Sequence, residues 1–155
     1  MTPAINCLKK AKIKHQIHQY EHDANSKAYG EEAAEKLDIP FDQIFKTLVV
    51  SVDNKNLSVA LVPVSKQLDL KAFVKVIGAK KAKMADKKEV KRATGYILGG
   101  VSPIGQKKQL TTIIDNSALK FKTVYVSAGR RGLQIELSPK DLGSQTNAIF
   151  DDIGK

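Results

Sequence analysis

A lysine and a threonine stand at the head of the apolar run Leu48-Val49-Val50-Ser51-Val52, in the stretch Phe45-Lys46-Thr47-Leu48. Lys46 has Ile44, Phe45, Leu48 and Val49 as neighbours, which points to partial burial, and a lysine that must stay charged beside apolar surface calls for an anionic or strongly polar partner. That partner could be a substrate. The bland alternative is a strand-end lysine whose stem packs on the core while its ammonium reaches water. With a free pKa of about 10.4, such a lysine needs strong desolvation to act as a base. As a fixed positive charge it could hold a phosphate or an ester oxygen.

Other reactive side chains are sparse. The lone Cys7 excludes an internal disulfide and a thiolate-rich zinc site, and no histidine or acid beside it would make it a nucleophile. His15, His18 and His22 would align on a helix. On a strand His15 and His18 face opposite ways, and no Cys or carboxylate completes a metal set, so no metal is expected. There is no nucleophile elbow and no recognisable Ser-His-Asp arrangement. Tyr20 ends a strand, where its phenol either enters a pocket or simply packs.

Two glycine-rich loops offer backbone chemistry instead. In Gly99-Gly100-Val101-Ser102-Pro103-Ile104-Gly105 the paired glycines allow close approach to a ligand and expose N–H groups suited to a carbonyl or phosphate oxygen. It lacks the Gly-Lys-Ser/Thr of a P-loop and the dinucleotide glycine pattern, and as a bare loop it reads equally as a tight turn. Ala128-Gly129-Arg130-Arg131-Gly132 is a glycine-bracketed basic tip preceded by Ser127.

Charge points to the partner class. The 155 residues carry 26 Lys and Arg against 16 Asp and Glu, a net +10, which attracts polyanions. Residues 75–92, with Lys80, Lys81 and Lys83 among them, hold a surplus of six positive charges. That surplus fits an RNA-phosphate track or a solvated helix face. Aromatics are only 6% with no Trp, so stacking of many single-stranded bases is disfavoured and phosphate contact favoured over sequence readout. With no long apolar run and no signal-peptide pattern at Met1–Asn6, the chain reads as a soluble, cytoplasmic protein that does not engage a membrane.

These residues need elements to position them. Thr2-Pro3 opens a helix over Ala4 to Lys12, Ile13 to Tyr20 reads as a strand, and Gly30-Glu31-Glu32 starts a short helix stopped at Pro40. Lys46 to Val52 and Leu57 to Val64 form a hairpin about Asp53-Asn54-Lys55-Asn56. Asp69 caps a helix ended by Gly78, and Asp86 caps another from Lys87 to Thr94 ended by Gly95. Tyr96-Ile97-Leu98, Leu110 to Ile114, Thr123 to Ser127 and Leu133 to Leu137 read as strands, Ser138-Pro139 begins a last helix, and the tail to Lys155 is weakly patterned. The count predicts a single α+β domain over residues 1–155. Its mixed, largely antiparallel, barrel-like sheet has about six or seven strands surrounded by short helices.

Four segments taken together, Phe45-Lys46-Thr47-Leu48, Gly78-Ala79-Lys80-Lys81, the 99–105 loop and Ser127-Ala128-Gly129-Arg130-Arg131-Gly132, resemble the YbaK/EbsC family, related to the editing domain of bacterial prolyl-tRNA synthetases. The order and spacing of the segments carry the resemblance, which also takes in Thr2-Pro3-Ala4 and Tyr20-Glu21-His22-Asp23. It implies a trans-editing hydrolase that removes cysteine from the proline tRNA without a cofactor and that works in a complex with prolyl-tRNA synthetase. Lys46 matches the family's essential lysine, while Tyr20, Tyr29, Thr47, Gly99, Gly100 and Ser127 match pocket positions. Lys80, Lys81, Lys83, Arg130 and Arg131 are then expected on the tRNA backbone. Tyr29 falls where relatives can carry phenylalanine, so stacking is the role that carries over. Gln134 falls where some relatives have an acid, so no carboxylate role carries over. A non-catalytic tRNA-binding module and an editor of alanyl- or another aminoacyl-tRNA remain the alternatives.

Overall fold

The computed structural model describes residues 1–155. Along the chain lie α1 (Pro3–Lys10), β1 (Gln16–Gln19), α2 (Tyr29–Leu37), β2 (Phe45–Val52), β3 (Asn56–Pro63), α3 (Leu70–Ile77), β4 (Ala82–Met84) and α4 (Lys87–Thr94). They are followed by β5 (Thr111–Asp115), a 3-10 turn (Asn116–Lys120), β6 (Val124–Ser127), β7 (Leu133–Leu137), α5 (Pro139–Thr146) and β8 (Ile149–Asp151). Side-chain oxygens of Thr2, Asp69, Asp86 and Ser138 accept the backbone N–H three residues on, which is why four of the five helices begin where they do. Gly78 and Gly95, at φ of 78° and 83°, end α3 and α4.

The strands form two sheets, ordered β1-β7-β6 and β4-β2-β3-β5-β8. Four strand pairings are antiparallel, and β3–β5 and β5–β8 are parallel, so the expected mixed, largely antiparallel α+β architecture is present. The barrel-like single sheet is not. There are eight strands, and neither sheet closes. The reason lies in β2, which packs against β6 but is joined to it in ladder fashion only just before its start, at an isolated parallel bridge between Ile44 and Tyr125, and then pairs with β4 through Val50–Val52. The two sheets therefore meet at a corner and part.

Three apolar clusters fill the molecule. The largest joins Ala4 and Leu8 of α1 to Phe45, Val59, Ile114 and Ile135 of both sheets. A second packs Phe73 of α3 on Val50, Val62 and Ile113, and a third packs Ala33 and Ala34 of α2 on Ile44 and Val64. Ile44 thus belongs to one cluster and Phe45 to another. Lys46 follows them directly, at the seam.

Three readings of the sequence differ from the fold. Tyr96-Ile97-Leu98 is not a strand, because the Tyr96 hydroxyl turns inward to donate to the Ile104 carbonyl at 2.8 Å while Ile97 and Leu98 stay exposed. The lysine-rich segment holds the unforeseen β4. Its approach is fixed by the Asp53 carboxylate, which accepts the Lys80 and Lys81 N–H groups, and by the Asp53 N–H, which donates to the Lys81 carbonyl. The weakly patterned tail contributes β8 and a fully buried Ile153, held by Asp115 through the N–H groups of Ile153 and Gly154 at 3.1 and 2.9 Å.

Candidate active site

Where β2 and β6 part, a cleft of about 240 Å³ opens. Lys46 and Thr47 border it from β2, and Ser127 borders it from the end of β6. Gln134 joins them because β7 pairs with β6 in the register Ser127↔Gln134, which sets both side chains on one face of the sheet. Tyr29 at the start of α2 and Gly99 and Val101 from the loop after α4 complete the wall. The volume is below the ~300–1,000 Å³ of clefts that engulf drug-sized ligands and suits a small group.

The polar groups of the cleft are incompletely paired. Lys46 is half-buried, and no carboxylate lies within ion-pair distance of its ammonium. Thr47 Oγ1 and Gln134 Oε1 are buried without a hydrogen-bond partner, although Gln134 is only 7% exposed. Buried polar atoms in folded proteins are almost always partnered, so two orphans among the residues lining one cleft, together with a cation that has no ion-pair partner, single this cleft out as the candidate site. Ser127 Oγ accepts the Gly129 N–H at 3.2 Å, which leaves its hydroxyl proton free to donate.

The histidines are engaged elsewhere. His18 Nε2 lies 2.9 Å from Glu136 Oε1, and His22 Nδ1 lies 2.6 Å from Glu32 Oε1. Burial works against ionisation of Glu32, but hydrogen bonds from the Asp23 N–H, His22 and Lys36 outweigh it and hold the carboxyl below the usual range. For Glu136, burial is likewise outweighed by Thr123 and His18. No group of three His, Cys, Asp or Glu side chains is gathered to hold a metal ion. The cleft offers the Lys46 cation, hydroxyls, an amide oxygen and backbone, with Lys27 and the exposed Glu31 also in its lining, and no nucleophile–base pair.

Of the residues expected at a pocket, Tyr29, Lys46, Thr47, Gly99 and Ser127 come together. Tyr20 does not border the cleft. Its N–H donates to the Gly132 carbonyl at 2.9 Å, and its phenol is pushed up by burial, offset in part by hydrogen bonds with the Gly132 backbone and the Gln134 side chain. It stands behind Gln134. Gly100 also lies outside the lining. Its N–H is committed to the Ile97 carbonyl at 2.9 Å, and a Cβ there would come within 2.8 Å of Arg130 Cα, so close packing requires the glycine and Gly99 is the one that reaches the cleft.

The basic residues fall in two places. Lys80, Lys81 and Lys83 are exposed around β4, which pairs with the far end of β2, roughly 13–20 Å along the strand from Lys46 at about 3.3 Å per residue. Arg130 and Arg131 are exposed at the tip between β6 and β7. Lys27, Glu31, Leu98 and Val101 border the cleft and were not anticipated. Neither was Gln134 as a neutral acceptor, because the hairpin read from the sequence sets Ser127 opposite Leu133 and the observed register is Ser127↔Gln134.

Residues 24–144 match the model of the aminoacyl-tRNA editing domain. A protein of Enterococcus faecalis described as a candidate Cys-tRNA(Pro)/Cys-tRNA(Cys) deacylase, EbsC, is 45% identical over 123 residues, which span 79% of this chain and 75% of that one. The proline–tRNA ligase of Shouchella clausii is 39% identical over 77 residues, half of this chain and 13% of the ligase. The fold also matches a solved structure described as a candidate trans-editing enzyme for prolyl tRNA synthetase, with a TM-score of 0.84 at 24% identity over 98% of this chain and 92% of the other. With the family model covering most of the chain and a relative this similar along three quarters of its own length, the chain belongs to the aminoacyl-tRNA editing domain family.

Proposed function

We propose that this protein is an aminoacyl-tRNA deacylase that removes cysteine mischarged onto the proline tRNA, with Lys46 as a fixed charge that positions the ester end. The observation that carries this reading is the unpaired Lys46 ammonium in a cleft with two orphaned polar atoms and no nucleophile–base pair. Family membership and the likeness to EbsC support the reaction and the aminoacyl group, and the match to a stretch of a proline–tRNA ligase supports the tRNA.

An aminoacyl ester is already activated, so positioning and stabilisation of the developing oxyanion are the main requirements. The substrate's own thiol attacks the ester carbonyl, which accounts for a cleft without a protein nucleophile. The C–O bond to the ribose breaks as the new C–S bond forms. The thiol proton goes to the departing 3′-oxygen, and the cyclic thioester that leaves is then hydrolysed by water. Lys46 holds the acceptor-end phosphate or the ester oxygen, and the Gly99 backbone steadies the oxyanion. Thr47 and Ser127 orient the aminoacyl end, Gln134 Oε1 accepts from the substrate ammonium, and Tyr29 packs the rim with Tyr20 behind Gln134. Lys80, Lys81, Lys83 and Arg130 contact tRNA backbone. Selection of the proline tRNA comes from a complex with prolyl-tRNA synthetase.

The deciding experiment is single-turnover deacylation of cysteinyl-, seryl- and alanyl-tRNA(Pro). Cysteine is released fast and the other two slowly, and Lys46→Ala lowers the cysteine rate constant about 10²–10³-fold, the loss typical of removing one electrostatic stabiliser. Equal rates for cysteinyl and alanyl esters would refute attack by the substrate thiol. Salt-sensitive tRNA binding without cleavage of any ester would leave a binding module.

A further inference from the structure

Arg131 is exposed, yet its guanidinium is already engaged. Nη2 and Nε both donate to the Leu98 carbonyl, at 2.8 and 3.1 Å, and Cζ lies 4.7 Å from the centroid of the Tyr29 ring. Gly99 is held between these groups. A Cβ on it would stand 2.8 Å from the Tyr29 ring and 2.9 Å from Arg131 Nε, and its φ of 86° already excludes most side chains. Behind Tyr29, the His22 ring lies 5.9 Å away, fixed in turn by Glu32. Three segments distant in sequence, the start of α2, the loop after α4 and the β6–β7 tip, therefore meet on one guanidinium.

The loop depends on this contact. The Gly100 N–H to Ile97 carbonyl bond is its own tie at this end, and the Leu98 carbonyl is held by Arg131. A forked, planar cation can place two N–H groups on one carbonyl while its face covers a ring, and a lysine ammonium cannot do both. The wall so fixed carries Gly99 and Val101, which line the same cleft as Lys46 and Thr47.

We propose that Arg131 is a positioning residue: through the Leu98 carbonyl and the Tyr29 ring it locks the Gly99 wall of the cleft at the place where the ester carbonyl sits, instead of gripping a tRNA phosphate. The activity arm of its test rests on the deacylase reading above, and the exchange arm rests on geometry alone.

The test compares Arg131→Ala and Arg131→Lys with wild type in single-turnover deacylation of cysteinyl-tRNA(Pro) across enzyme concentrations. The expected result is a rate constant lowered about tenfold to a hundredfold, with the half-saturating concentration moved by less than about threefold. The lysine variant does no better than alanine. Millimolar guanidinium restores part of the alanine variant's rate, and methylammonium at the same ionic strength does not. In hydrogen–deuterium exchange, the peptide over residues 97–101 exchanges faster in both variants while peptides from β2 and β3 are unchanged. A raised half-saturating concentration at an unchanged rate constant would make Arg131 a phosphate contact and overturn the proposal, as would full rescue by lysine. If wild type cleaves no aminoacyl-tRNA the deacylase reading fails, and the exchange of residues 97–101 still decides the latch. If wild type cleaves and that exchange is unaltered in Arg131→Ala, the latch alone fails.

Discussion

At the scale of single residues, the cleft is defined by what is unpaired. An orphaned buried acceptor costs the free protein about 1–3 kcal/mol, a cost removed when a ligand donates to it or when the acceptor is deleted. Made in a Tyr20→Phe background, so that the hydrogen bond between the Tyr20 phenol and the Gln134 amide is already absent, Gln134→Leu should therefore leave thermal stability equal to or slightly above that of Tyr20→Phe alone, while deacylation of cysteinyl-tRNA(Pro) falls about 10–100-fold relative to it, the range for a lost hydrogen bond to a charged group. A lowered melting temperature in this variant would show that Oε1 has a structural partner and would remove it from the substrate site. Gln134→Glu places a carboxylate where the substrate ammonium is expected and should retain or improve activity near neutral pH, measured by the same deacylation assay. Lys46 was legible from sequence because a lysine after Ile44 and Phe45 is conspicuous at the head of an apolar strand. Gln134 was hidden by register. A five-residue tip from Ala128 to Gly132 would set Ser127 opposite Leu133 and turn Gln134 to the other face, whereas the observed pairing is Ser127↔Gln134.

Elements explain which parts of the fold could be read and which could not. Helix starts and stops are local events, set by Thr2, Asp69, Asp86 and Ser138 at one end and by Gly78 and Gly95 at the other, and they lie in the chain where they lie in the structure. Likewise the β2–β3 hairpin announces itself through Asp53 and Asn54, both at positive φ in its turn. β4 and β8 are three residues each and owe their existence to distant partners, Val50–Val52 for one and β5 for the other, so no local pattern betrays them. The same holds for the 97–101 loop. Its apolar Tyr96-Ile97-Leu98 mimics a strand, and only the Tyr96 and Arg131 contacts to remote carbonyls show otherwise. Gly99→Ala tests whether this loop acts as a rigid wall. The added methyl meets the Tyr29 ring at 2.8 Å in a left-handed conformation, so the loop must shift. We expect deacylation to drop at least tenfold, as misplacement of a reacting group by about 1 Å can cost a hundredfold, with far-ultraviolet circular dichroism unchanged. Retention of full activity would show that the wall does not contact the reacting ester.

For the whole molecule, the decisive feature is that two sheets meet where β2 packs on β6 and open into a cleft, so activity needs both sheets held in place by contacts outside it. One such contact closes the chain on itself. Asp115 ends β5 and accepts the N–H groups of Ile153 and Gly154, and Gln67 and Lys155 exchange backbone hydrogen bonds beside it. The tail is thereby pressed against α3, where Ile153 joins Phe73 in the second cluster. Burial opposes ionisation of Asp115, but hydrogen bonds from the Ser117 side chain and the Ile153, Gly154 and Ser117 N–H groups outweigh it and hold the carboxyl below its ordinary value. A depressed folded-state pKa stabilises the fold above the unfolded value of about 3.9, and that contribution is lost as pH falls through the folded value. Asp115→Asn keeps the shape and loses the charge, so at pH 7 it should destabilise the protein by about 1–3 kcal/mol, measured by urea denaturation. Glu32 and Glu136 also lose stabilisation in acid, but they do so equally in both proteins. The difference between wild type and Asp115→Asn therefore isolates one carboxylate: it should be constant from pH 7 down to about 5 and shrink toward zero below the unfolded pKa of about 3.9. A difference that persists unchanged at pH 3 would mean that the shape of the side chain, and not its charge, holds the tail.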